Sequence, residues 1–170
     1  MILCCGEALI DMLPRVTAQG EDAYAPYPGG AVFNTAIALA RLGAPSGLFC
    51  GLSTDLFGET LIDALRASTV AHDLAIRTDR PTTLAFARLV DGQPSFWFYD
   101  ENTAGRMIRR DDLPDIPATV GAMFFGGISL MVEPCGNAYE ALMLREADTR
   151  LIMLDPNIRP GFIKDRKSVV

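Results

Sequence analysis

Four short and almost uninterrupted apolar runs constrain this 170-residue chain more than any other feature. They are Ile2–Gly6, Gly47–Gly51, Ala122–Gly126 and Leu151–Leu154, each about one strand long. None shows the alternation of a half-exposed strand, so each is expected to be buried on both faces, as strands are inside a helix-covered parallel sheet. Helical patterns lie between them. Asn34 heads the first, as a side-chain N-cap, with Ala36, Ile37, Leu39 and Ala40 as its apolar stripe and Gly43 and Pro45 as its stop. Phe57 to Ser68 carries Leu61, Ile62 and Leu65 at helical spacing, and Pro134 to Asp148 makes a third helix. Buried strands alternating with helices predict an α/β fold with right-handed crossovers.

One segment breaks that rhythm. Thr83–Val90 and Ser95–Tyr99 flank Asp91-Gly92-Gln93-Pro94 and read as a β-hairpin. Residues 17–28 are polar, with Pro and Gly, and read as loop or a short edge strand. The run at Leu151–Leu154 leaves one flank of the sheet uncovered, which predicts an exposed apolar flank and an unpaired strand edge.

Apolar residues make up 49% and charged residues 21% of the chain, a globular composition with room for one domain over residues 1–170. The net charge of −6 lacks the basic footprint of nucleic-acid binding. The clusters Arg106/Arg109/Arg110 and Lys164/Arg166/Lys167 sit beside Asp residues and read as solvated surface. Cys4, Cys5, Cys50 and Cys135 form no C-x-x-C, and His72 is the one histidine, so no zinc spacing exists. Cysteines within apolar runs fit a reducing compartment, and a cytoplasmic protein is expected. The longest near-apolar stretch, residues 118–132, is too short to span a bilayer, and no membrane association is expected.

Three groups are candidates for a site. In Gly29-Gly30-Ala31-Val32-Phe33-Asn34, two glycines admit a close ligand and a helix start offers N–H groups beside an amide; the same letters also suit an ordinary Gly-rich turn with an Asn cap. Asp11 follows the first buried run, where a carboxylate can accept from two adjacent hydroxyls or lie solvated in a loop. Asp155, Asn157 and Arg159 are spaced to share one side of an extended segment after a buried strand. Neither G-x-G-x-x-G nor a G-x-x-x-x-G-K-[ST] loop is present, so the chain reads as neither a dinucleotide-binding nor a P-loop protein.

Taken in order, these groups resemble the ribokinase/pfkB carbohydrate kinase family. The resemblance rests on Gly6-Glu7-x-x-Ile10-Asp11, Gly29-Gly30-Ala31-x-x-Asn34-x-Ala36 with Leu39–Gly43, Gly51-x-Ser53-x-Asp55-x-x-Gly58, and Asp155-Pro156-Asn157-Ile158-Arg159. It implies a ribokinase-like, mostly parallel sheet flanked by helices, with a small β lid from residues 10–28 and 83–99. The implied reaction moves the γ-phosphate of ATP, with Mg2+, to a primary sugar hydroxyl. The implied sugar-binding residues are Asp11, Gly29, Gly30, Asn34 and the lid's Phe98, with Asp155, Asn157 and Arg159 toward the sugar's far end or the phosphates. A homodimer through the lid is also implied.

The family's catalytic base stands in a G-A-G-D motif, and this sequence has no G-x-G-D, so no catalytic residue is assigned. The expectation is the N-terminal portion of such a kinase, its C-terminal half missing, with little activity by itself. Fructokinases and 2-keto-3-deoxygluconate kinases resemble it most. Asp100 stands where the sugar-acid kinases carry an Arg, which favours a neutral hexose such as fructose. A non-catalytic sugar-binding or dimerising fragment and a nucleoside kinase are the alternatives.

Overall fold

The computed structural model describes residues 1–90 and 93–156. The expected Asp91-Gly92 turn, together with Asn157 and Arg159, lies outside the described residues.

The main sheet holds four parallel strands in the order β10-β9-β1-β4: β1 Ile2–Cys5, β4 Ser46–Phe49, β9 Ala122–Gly126 and β10 Leu151–Asp155. β1 lies inside, with Cys4 level with Leu48 on one side and Phe124 on the other. Both its faces are covered, which is why it reads as a continuous apolar run. Cys4 points into a core with Val32, Phe33 and Ala36 of helix α1 (Ala31–Arg41) and Leu61 and Leu65 of helix α2 (Leu56–Ala67). Leu3 and Cys5 point the other way, onto Phe49, Met123, Phe125 and helix α3 (Cys135–Glu146), whose Tyr139 donates to the Gly6 carbonyl at 3.2 Å. β10 forms an edge, and its Leu151, Met153 and Leu154 are exposed by 64%, 54% and 57%.

The run at Gly47–Gly51 is not one strand. It divides at Cys50 into β4 and β5 (Gly51–Ser53), and β5 leaves the main sheet to pair with β6 (Ile76–Thr78). Gly51 permits the turn away, since a Cβ there would overlap the Ala104 carbonyl.

A second sheet, ordered β3-β2-β7-β8, contains β2 (Leu9–Val16), β3 (Asp22–Gly29), β7 (Leu84–Val90) and β8 (Gln93–Tyr99). Its β7–β8 pair is antiparallel, while β2 and β7 run parallel. β3 is longer than a loop or short edge strand. It is an eight-residue edge strand, and an edge tolerates Pro26 and Pro28, because a proline costs a ladder bond only where a neighbour needs its N–H.

Helix α1 starts four residues before the expected position, and Asn34 does not cap it. Gly30 is the N-cap, with a φ of 106° and no side chain to contribute. The missing cap comes from elsewhere in the chain: the Ala31 N–H donates to Glu7 Oε1 at 2.8 Å and the Phe33 N–H to the Glu7 carbonyl at 3.2 Å.

Candidate functional site

Register places four side chains in one row across the second sheet. Tyr27 is level with Asp11, Asp11 with Ala85, and Ala85 with Phe98. Cross-strand partners share a face, so Asp11 and Phe98 stand on one side, two strands or about 10 Å apart. The small Ala85 between them leaves that interval open. Phe98 is half-buried against Leu9, Ala85 and Ile128, and Ile128 opens the 3-10 turn Ile128–Leu130 that follows β9. This face of the second sheet thus rests over the C-terminal end of the parallel strands, where α/β folds place their ligand sites.

Gly29 ends β3 directly beside Asp11, and a Cβ there would overlap the Asp11 carboxylate. Burial pushes the Asp11 carboxyl above its ordinary range, so its ionised form lacks full hydration. Gly30 follows, then α1. Asn34 lies in the first turn with its amide exposed. Released from capping, that amide can donate and accept toward a ligand. Gly29, Gly30 and Asn34 are therefore parts of one strand-to-helix turn, with the Asp11 carboxylate of β2 against Gly29 and Phe98 two strands away on the same face. Asp155 ends β10, exposed, and its carbonyl accepts from the Gly127 N–H at 3.3 Å.

Two residues, Glu7 and Asp55, stand in the sequence motifs but had no role assigned to them. Glu7 is 6% exposed, its Oε1 on the Ala31 N–H and its Oε2 accepting from the Ser129 hydroxyl at 3.3 Å. Burial pushes its carboxyl up, against hydrogen bonds from backbone N–H groups and Ser129. The available signal was a Glu directly after an apolar strand run. Asp55 caps α2 by accepting from the Gly58 N–H at 2.7 Å and also holds the N–H and hydroxyl of Thr82. Burial would raise its carboxyl, but the hydrogen bonds from Thr82, Gly58 and Ser53 outweigh it and hold it below its ordinary value.

Asp100 is not an open carboxylate at the ligand's end. It is buried, and Oδ1 accepts from the Thr83 and Thr103 hydroxyls at 2.7 and 3.1 Å. Among the described residues Oδ2 makes no hydrogen bond, and it stands 3.9 Å from the Arg106 guanidinium. Burial pushes this carboxyl up, only partly offset by Thr83, Thr103 and Arg106. A cleft of about 540 Å³ at the root of β7 and β8 is walled by Pro81, Thr82, Leu84, Phe86, Phe98, Tyr99, Asp100, Glu101 and Thr103. It is mostly apolar, so the convergent polar groups of the Asp11 turn are the better candidate for recognition.

The four thiols are buried, and burial pushes those of Cys4 and Cys135 up to about 12, too high for a reactive thiolate. Among the described residues no group of three His, Cys, Asp or Glu side chains is placed to hold a metal ion, and no helix is long and apolar enough to cross a membrane.

A parallel α/β sheet roofed at its C-terminal end by a small second sheet, with an Asp and a Gly-Gly helix start beneath, is the ribokinase-like architecture. The pattern of the pfkB family carbohydrate kinases matches residues 1–169, and the chain belongs to that family. It is 60% identical over 168 residues to a fructokinase of Rhizobium leguminosarum bv. trifolii, covering 99% of this chain and 52% of that one. A probable fructokinase-4 of Arabidopsis thaliana is 36% identical over 94% of this chain and 51% of its own. Among solved structures, a fructokinase of Xylella fastidiosa with bound ATP superposes with a TM-score of 0.87 at 31% identity, over 97% of this chain and 54% of that chain. The chain spans about half the length of the curated relatives it matches.

Proposed function

We propose that this chain is the sugar-holding part of a fructokinase, which phosphorylates a primary hydroxyl of fructose from ATP. The observation that carries the reading is the Asp11–Gly29 contact, set in one row with Phe98 and leading directly into the Gly30 helix start and the Asn34 amide. A partly desolvated carboxylate accepts strongly from adjacent hydroxyls, and an aromatic edge closes the apolar side of a sugar ring. The fructokinase relatives support the same sugar.

A neutral hexose suits the site better than a sugar acid. Asp11 and Glu7 place two carboxylates at the turn, and bringing a third anion there costs Coulomb energy. The same pair makes the turn unsuited to nucleotide phosphates, and the described residues offer no Mg2+ ligand set. These residues are therefore assigned to holding sugar, and no step of phosphoryl transfer is assigned to them. Four buried free thiols support a reducing, cytoplasmic setting. The second sheet serves as a lid over the sugar, and Asp155, at the end of β10, is assigned to the far end of the site, while Asn157 and Arg159 lie outside the described residues.

The opposite face of the lid carries exposed Tyr24, Trp97 and Tyr99, a surface that supports pairing of two copies. Sedimentation should then show a dimer that Trp97→Lys shifts to monomer; a monomeric parent chain would remove this second reading.

The main test is calorimetric titration of the chain with fructose, 2-keto-3-deoxygluconate and adenosine, alongside turnover with ATP and Mg2+. Fructose should bind and the other two should not. A folded chain that ignores fructose, or prefers either competitor, overturns the proposal.

A further inference from the structure

We infer that Glu7 is a positioning residue whose buried carboxylate clasps two turns, Gly30–Asn34 and Gly126–Ser129, and so sets the shape of the candidate sugar subsite. The inference rests on the sugar-holding reading above.

Glu7 joins the two turns with separate atoms. Oε1 accepts from the Ala31 N–H at 2.8 Å, and the Glu7 carbonyl accepts from the Phe33 N–H at 3.2 Å. Oε2 accepts from the Ser129 hydroxyl at 3.3 Å, and that hydroxyl also lies 3.1 Å from the Gly126 carbonyl. Both turns are cut to fit it. A Cβ on Gly30, at φ 106°, would stand 3.0 Å from the Glu7 carbonyl oxygen and 3.3 Å from its Cγ. A Cβ on Gly127, at φ 73°, would overlap the Glu7 carboxylate itself. Glycine is thus required at each position twice over, by backbone conformation and by the space Glu7 occupies.

The electrostatics give the clasp a purpose beyond packing. A buried carboxylate without an ion pair is expensive, and no Lys, Arg or His pairs with Glu7 among the described residues. What compensates it is the free N–H groups and positive end of α1. Those same groups make an unoccupied helix start an anion site. With Glu7 filling that position from beneath, the turn meets a ligand through the Asn34 amide and the Gly29–Gly30 backbone, and it discriminates for hydroxyls. The Glu7 to Ser129 link spans 122 residues of sequence, so the turn's position depends on where β9 ends.

The test compares the parent chain with Glu7→Gln, Glu7→Ala and Ser129→Ala by amide hydrogen exchange and fructose titration, after thermal melts confirm folding. Ser129→Ala should speed exchange at Ala31 and Phe33 severalfold while leaving the amides of α2 unchanged, a long-range effect that loss of local packing does not produce. Glu7→Gln preserves an acceptor for Ala31 and should hold fructose affinity within about threefold, whereas Glu7→Ala should weaken it by about tenfold or more. If Glu7→Ala fails to fold, Ser129→Ala and Glu7→Gln still decide. Unchanged exchange at Ala31 and Phe33 overturns the clasp. Faster exchange with unaltered fructose affinity overturns the positioning role. A parent chain that binds no fructose sinks the proposed function, while the exchange data judge the clasp independently.

Discussion

Asp55 and Thr82 are joined twice. The Asp55 carboxylate accepts from the Thr82 N–H at 2.9 Å and from its hydroxyl at 2.7 Å, while also capping α2 through the Gly58 N–H. One side chain therefore fixes the start of α2 and the segment that leads into β7. The next residue, Thr83, hydrogen-bonds Asp100 at the end of β8. The root of the second sheet is thus anchored to the α/β body by polar side chains as well as by the apolar packing of Ile10 and Leu84 on the core.

Replacing Asp55 with Ala should cost about 2 kcal/mol or more, from the lost cap and the stranded Thr82 donors. The pH dependence has a definite sign. The folded-state value of Asp55 lies below its ordinary 3.8, so its contribution is complete above that range and is lost as pH falls through the depressed value. Urea unfolding of both proteins should show the full gap at pH 7 and a narrowing gap below about pH 3.5.

Gly29→Ala should abolish most fructose binding with the fold kept. The added methyl would occupy the place of the Asp11 carboxylate, and Asp11 must turn away. A drop in affinity of about tenfold or more is expected, with a melting temperature within a few degrees of the parent. Unaltered affinity would show that Asp11 does not touch the sugar.

Asp11→Asn keeps the shape and removes the charge. Charge-assisted hydrogen bonds contribute about 1.5–3 kcal/mol, so fructose affinity should fall by about ten- to a hundredfold. Stability should hold or rise slightly, because burial disfavours the charged form of this carboxyl. Titration calorimetry and a melt on the same sample check both directions.

Asp100→Arg should not create a sugar-acid site. The carboxylate is buried on Thr83 and Thr103, so a guanidinium placed there would disrupt the root of β7 and β8 and lower stability by several kcal/mol. Asp100→Asn retains an acceptor for Thr83 and should cost about 1 kcal/mol or less near pH 7. Because burial raises the folded-state value of Asp100, the parent should gain stability relative to Asp100→Asn as pH falls through that raised value toward 3.8. Denaturation curves between pH 7 and pH 4 test the crossing trend.

Strand and helix order was legible because burial on two faces leaves continuous apolar runs, as in β1 and β9; β10 carries the same kind of run, but its expected burial on both faces is not met, because it lies at the sheet edge with Leu151, Met153 and Leu154 exposed. The break at Cys50 was not legible. The same run continues through β4 and β5, and only the packing of Gly51 on Ala104 separates them. Of the candidate site, Gly29, Gly30 and Asn34 were visible as a local pattern and Asp11 as a separate carboxylate, and the structure sets the Asp11 carboxylate against Gly29. The role given to Asn34 as a cap was wrong, since a cap can come from any part of the chain and Glu7 supplies it.

The sequence by itself determined the alternation of buried strands and helices and the composition of the Gly29–Asn34 turn, both of which depend on near neighbours. Only the tertiary structure decided that Asp11 and Phe98 share a row across Ala85, that Asp100 faces inward, and that Glu7 reaches both Ala31 and Ser129. Those relations depend on strand register and on contacts between residues far apart in the chain, which no short window of sequence encodes.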